Sequence, residues 1–243
     1  MHQAWRPEPL ETTQSLLDRA HQALLDGICN GDLLPGSRLL QEELAERFQV
    51  SRQPISHALA LLKQQGFVRD APGRGLEVTP VDPEHLRAVF AVRAVLDELA
   101  ATTAAQRPPA GNPFGAILKA GQEAADAGDL RELVRWDAVF HTSMAEAAGN
   151  PVLLEINNQQ WGHIRRGIAV ALQDPAFHRR CWAEHAAISE AILAGNAEEA
   201  GRIARRHCEV AGAETFQRLT EKQQGASRRA ESPERKRHRA IPA

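Results

Sequence analysis

From Pro80 onward, proline and glycine interrupt the chain at Pro108-Pro109, Gly111-Asn112-Pro113, Gly128, Gly149-Asn150-Pro151, Asp174-Pro175 and Gly195-Asn196. Between these breaks lie long stretches rich in Ala and Leu, with none of the period-two alternation of a half-buried strand. A chain punctuated in this way has nothing from which to build a sheet over residues 82–220. It has enough for about six helices that reverse direction at each break, an antiparallel all-α bundle.

The first 80 residues follow a different grammar. Apolar Leu16, Leu17, Ala20, Leu24 and Ile28 recur at three- and four-residue intervals, so residues 13–30 read as a helix. Asn30-Gly31 and Leu34-Pro35-Gly36 end it. A short helix over 40–48 and a second one from Ser51 to about Gln65 follow, with Ser51 placed as N-cap. Two extended runs, Phe67-Val68-Arg69 and Leu76-Glu77-Val78-Thr79, flank the turn Pro72-Gly73-Arg74-Gly75. Helix, turn, helix and a glycine-tipped hairpin form the pattern of a winged helix-turn-helix, whose second helix enters the major groove while the wing approaches the backbone. The expected fold is therefore mainly α, with this module over 1–80, the bundle over 81–221 and a basic, disordered tail over 222–243.

Charge supports that division only when it is counted locally. The net charge of −2 speaks against nucleic acid at first sight. Yet residues 47–75 hold Arg47, Arg52, Lys63, Arg69 and Arg74 against Asp70 alone, inside an otherwise acidic body. A local basic face is what phosphate binding needs. The tail carries seven basic and two acidic side chains and almost no apolar ones, so it is expected not to bury enough surface to order itself. No apolar run of about 18 residues predicts a membrane helix, and the first residues lack the basic-then-apolar order of a secretory signal. Cys29, Cys181 and Cys208 read as free thiols in a reducing cytoplasm.

The N-terminal residues carry a specific resemblance. Asp26 through Leu39, Glu43 through Pro54 and Gly66-Phe67-Val68 are similar to the opening of the GntR family of bacterial transcription regulators. The resemblance implies DNA contacts by Ser51, Arg52, Gln53 and the wing residue Arg74, with Arg47 and Ser56 on the same segment. Ser56 stands where the family usually has Arg, and Glu42 where a basic residue is frequent, so two positive charges are missing from the expected face.

In the second half, Asp137 and His141 lie four apart on one helix and so share a face. His185 and His207 follow on later helices. One carboxylate with three imidazoles makes a first shell for Zn2+, Ni2+ or Mn2+. Spacing alone also fits the plainer reading of core histidines with ordinary partners. Asp137 through His141, Gly149-Asn150-Pro151, and Glu184-His185 through Gly195-Asn196 to His207 resemble the FCD effector domain of the FadR-type GntR subfamily. That resemblance implies a divalent ion, Zn2+ or Ni2+ first and Mn2+ next, on Asp137, His141, His185 and His207. Arg93 matches the Arg carried on the first effector helix, where it would bind a small carboxylate; its plainer role is an ion pair with Asp97. Arg165 and Arg166 are further ligand candidates, and Trp161 and Trp182 fit the core equally well.

The expected protein is a non-enzymatic, cytoplasmic, homodimeric regulator. It would bind a palindromic operator in double-stranded DNA and answer to an organic acid held at the metal. A metal-dependent hydrolase using the same Asp/His set is the rival reading of those residues.

Overall fold

The computed structural model describes residues 15–73 and 75–231, apart from the side chains of Val170 and 226–231. The chain separates into two compact units, Met1–Pro80 and Val81–Ala243.

In the first unit, α1 (Leu16–Cys29) starts at a reciprocal cap in which the Asp18 N–H donates to Ser15 Oγ and the Ser15 N–H donates to the Asp18 carboxylate. α2 (Gln41–Phe48) stops where Gln49 takes a left-handed backbone, φ 54°. α3 spans Arg52–Gln64. The wing is a three-stranded antiparallel sheet: β1 (Arg38–Leu39), β2 (Val68–Asp70) and β3 (Leu76–Val78) in the order β1-β3-β2. β2 and β3 are the two runs expected from the sequence. β1 was not foreseen, because two residues carry no period; it forms when Arg38 and Leu39 pair with Glu77 and Leu76. Leu24, Ile28, Leu39, Ile55, Leu59, Leu62, Phe67 and Val78 close a core shared by helices and sheet.

In the second unit, α4 (Pro83–Gln106), α5 (Gly115–Ala127), α6 (Leu130–Ala147), α7 (Pro151–Ala171), α8 (Pro175–Leu193) and α9 (Ala197–Glu231) reverse direction at the breaks named above. Asp82, Asp129, Asn150 and Asp174 each accept a first-turn backbone N–H at a helix start, and prolines occupy the first turns of α4, α7 and α8. Among the described residues this unit has no strand, as expected. α4 and α9 make the most extensive helix pairing. Gly212 permits it, since a Cβ there would lie 2.6 Å from Phe90 Cβ.

One expectation is modified. α9 continues to Glu231, so residues 222–231, assigned from composition to a disordered tail, are helical. Extending a helix already anchored by packing costs far less than nucleating one. The Gln223 amide also donates to the Val81 carbonyl at 2.8 Å. Residues 232–243 lie outside the described residues. No helix among those described is long and apolar enough to cross a membrane.

Candidate metal centre and nucleic-acid interface

α6 turns Leu133, Asp137, Phe140, His141 and Met144 inward at three- and four-residue intervals. α8 does the same with Cys181, Trp182, His185 and Ile188, and α9 brings His207 and Cys208 to the same level. The four residues named from the sequence thus meet inside the bundle. One donor atom from each of Asp137, His141, His185 and His207 lies within 4.8 Å of the others, and all four side chains are buried. Asp137 Oδ1 is 3.7 Å from His141 Nε2 and 3.5 Å from His185 Nε2. His185 Nε2 and His207 Nε2 approach to 3.2 Å. Phe140 stacks on the His185 ring with centroids 4.1 Å apart, and Trp182 meets it edge-on at 4.8 Å, so the ring has little freedom to turn.

Outer carboxylates aim two of these rings. His207 Nδ1 is 2.7 Å from Glu184 Oε2, which leaves Nε2 facing the cluster. His141 Nδ1 is 2.9 Å from Asp97 Oδ2. That same oxygen is 3.3 Å from Arg93 Nε and accepts from Cys208 Sγ at 3.0 Å. Asp97 and Glu184 therefore do the orienting that metal-binding histidines need. Neither was assigned to the site from the sequence. Arg93-x-x-x-Asp97 spacing signals a helical ion pair and nothing more, and Glu184 precedes His185 without any local sign that it reaches a ring 23 residues on.

The charges of the cluster shift one another. Burial pushes the Asp137 carboxyl up, but hydrogen bonding and charge from His141, then charge from His185 and Arg93, hold it well below the usual range. Burial and Arg93 push His141 down, while Asp97 and Asp137 raise it above its ordinary value on balance. Burial, then His207 and His141, drive His185 well below its own. Asp137 Oδ2, both ring nitrogens of His141 and His185 Nδ1 are buried without an aligned hydrogen bond. Polar atoms are not normally left so, and a divalent ion at the centre would give those that converge there a partner. Asp/His3 is an oxygen- and nitrogen-rich set suited to the borderline dications.

Arg93 is 2% exposed, and its guanidinium lies 5.0 Å from the centre of the Trp161 ring. It makes the Asp97 contact offered as its plainer role, yet Nη2 has no partner. Arg165 is half-buried one turn beyond Trp161 on α7, and Arg166 is half-buried beside it.

On the first unit, Arg47, Ser51, Arg52 and Gln53 are exposed and Ser56 is half-buried along the start of α3 and the end of α2. Ser51 is the N-cap residue, but its side chain makes no capping bond, so the hydroxyl is available to a phosphate. Exposed His57 shares the outer face of α3 with Gln53, one turn on, and was not assigned from the sequence. Much of the local positive charge is already paired: Arg52 Nη2 with Glu42 at 2.7 Å, Lys63 with Asp70 at 2.7 Å and Arg69 with Glu77 at 2.8 Å. Arg74 lies outside the described residues.

Residues 16–78 match the gntR family of bacterial regulatory proteins, and residues 88–210 match the FCD domain. An HTH-type transcriptional regulator from an unstable DNA locus of Streptomyces ambofaciens is 30% identical over 72% of this chain and 75% of its own length. BphR of Paraburkholderia xenovorans (35% identical over 37% of this chain) and McbR of Escherichia coli (26% over 57%) align over only 37% and 63% of their own lengths. The solved structure of Escherichia coli McbR/YncC superposes with a TM-score of 0.73, at 22% identity, over 84% of this chain and 98% of that one. A putative GntR regulator from Rhodococcus superposes with a TM-score of 0.70, at 23% identity, over 82% and 97%.

Proposed function

Because this chain belongs to the gntR family of bacterial regulatory proteins and carries an FCD domain, we propose that it is a DNA-binding transcriptional regulator governed by a small organic acid. The observation that carries the reading is the buried Asp137, His141, His185 and His207 cluster beside Arg93, whose Nη2 has no partner.

A divalent ion held by Asp137, His141, His185 and His207 would supply a Lewis-acidic anchor for a carboxylate. Arg93 Nη2 donates to that carboxylate in a charge-assisted bond. Trp161 holds the guanidinium plane by its ring face, and Arg165, one turn along α7, is the second cation assigned to the ligand. Asp97 links ligand to cluster, since Oδ2 lies within contact distance of both Arg93 Nε and His141 Nδ1. A carboxylate that draws Arg93 away from Asp97 alters how α4 is held. α4 follows the DNA-binding unit directly in the chain, so its setting is the covalent route between ligand and reading head. A bias of about 1–3 kcal/mol is typical of such coupling.

Arg47, Ser51, Arg52, Gln53 and Ser56 are the proposed operator contacts, with Arg74 on the wing. A two-fold operator calls for a two-fold protein. On α4, Val92, Val95 and Leu99 are 49%, 53% and 48% exposed at helical spacing, an apolar stripe that a second copy would cover. Beside it Arg205 already bridges Glu98 and Glu209 at 2.9 and 2.8 Å within the chain, so the apolar stripe is what a second copy would cover.

Fluorescence anisotropy with a duplex from the gene's own upstream region tests the reading. The protein should prefer that duplex to random DNA by about a thousandfold or more at physiological salt, and one of a panel of small carboxylates should shift the affinity and raise Tm. Equal affinity for random DNA would overturn it.

A further inference from the structure

A second set of donors converges on the far side of His207. Cys181 and Glu184 are one turn apart on α8. With His207 they offer a sulfur, a carboxylate oxygen and a ring nitrogen, all within 4.8 Å of one another. Glu184 Oε2 meets His207 at Nδ1, 2.7 Å away, while Nε2 faces His185. Cys181 is a buried free thiol whose Sγ makes no hydrogen bond among the described residues. The Glu184 side chain is 27% exposed, so this set opens toward solvent where the inner one does not. Arg180 is the cation nearby, and Glu214 holds its Nη1 at 2.8 Å while its Nε stays 3.5 Å from Glu184.

We propose that Cys181, Glu184 and His207 form a second metal site, selective for a thiophilic dication, and that His207 serves either this site or the inner one. The second clause rests on the inner cluster being a metal site; the first does not. A sulfur-oxygen-nitrogen set favours a soft ion, whereas Asp137 and three imidazoles favour a borderline one. A neutral imidazole carries one proton. With that proton on Nδ1, given to Glu184, the Nε2 lone pair serves the inner set. With the proton on Nε2, given to His185 Nε2 at 3.2 Å, Nδ1 is free for the outer set. Filling the outer site releases the Cys181 thiol proton to solvent and moves the His207 proton from Nδ1 to Nε2. One neutral ring therefore cannot serve both ions, and the softness of the ion decides which set is filled.

The test uses the metal-free full chain, with Cd2+ followed by its thiolate charge-transfer absorption and Mn2+ followed by electron paramagnetic resonance. Cd2+ should produce the absorption, Mn2+ should bind without any thiolate signal, and bound Cd2+ should weaken Mn2+ by about tenfold or more. Cys181→Ala should remove the absorption and weaken Cd2+ by at least about a hundredfold, with Mn2+ affinity unchanged. Cys181→Ser keeps the side-chain volume and should behave alike if the alanine variant fails to fold. Asp137→Asn should lose Mn2+ and keep the Cd2+ absorption. Cd2+ binding without the absorption, an absorption surviving in Cys181→Ala, or full simultaneous loading with both ions overturns the proposal. If Mn2+ fails to bind while the Cys181-dependent absorption is present, the second site stands and the inner reading falls.

Discussion

Asp97 joins three buried partners through a single atom. One buried carboxylate oxygen faces a guanidinium, a ring nitrogen and a thiol. Asp97→Asn keeps the shape but halves the acceptor capacity and removes the charge. It should lower the affinity of the inner site for Mn2+ about 10–100-fold, as loss of an outer carboxylate does elsewhere; unchanged titration curves would show that Asp97 does not orient His141. It should also lower Tm, because Arg93 would keep its buried charge with a weaker partner. At the other end of the chain, Glu42 and Arg52 form an exposed pair, with side chains 72% and 69% accessible. Such pairs contribute little to stability. A phosphate must compete with Glu42 for the guanidinium, so Glu42→Gln should tighten DNA binding by up to about fivefold with Tm unmoved. Weaker binding would mean instead that Glu42 aligns Arg52 for its contact.

At the scale of elements, α9 shows how position along a helix sets the sign of one substitution. Glycine is normally a poor helix residue, and Gly→Ala gains about 0.5–1 kcal/mol. At Gly225, where nothing lies within 4 Å of the added Cβ, Gly225→Ala should show that gain as a small rise in Tm and helicity. At Gly212 the added Cβ would lie 2.6 Å from Phe90 Cβ, an atom fixed to the α4 backbone. Gly212→Ala should therefore cost about 1–3 kcal/mol through overpacking, read as a lower midpoint in urea. If the two substitutions change stability in the same direction, the closeness of α4 and α9 is not what glycine serves there. The same elements show where local rules stop. The breaks at Asp174-Pro175 and Gly195-Asn196 mark helix ends directly, because caps and prolines act within one turn. β1 has no local cause, and the good helix formers Lys222, Gln223, Gln224, Arg228 and Arg229 continue α9 past residue 221 only because a packed helix precedes them. Each exists because a neighbour, β3 or the packed body of α9, is already in place.

For the whole molecule, the exposed α4 stripe and the proposed two-fold operator lead to the same proposed assembly. Val95→Asp changes a side chain that is 53% exposed, so the fold should persist while dimerisation weakens. Light scattering should register a monomer, and operator binding should fall steeply because one reading head has lost the neighbour that dimerisation holds beside it. A dimer that survives the change would place the interface elsewhere.

The sequence by itself determined the fold class and most of the helix ends, because capping, chain reversal and helical periodicity are local; it singled out Asp137, His141, His185 and His207 through their resemblance to the FCD domain. It could also pair Arg93 with Asp97, four residues away. Only the tertiary structure decided that Asp97 also reaches His141, that Glu184 takes His207 Nδ1, and that Cys181 completes a second donor set. Those contacts join residues up to 44 positions apart on different helices, and their geometry depends on how α4, α6, α8 and α9 pack. A change of one rotamer or one ångström at any of these helices would redirect a ring nitrogen without altering a letter of the pattern that announced it.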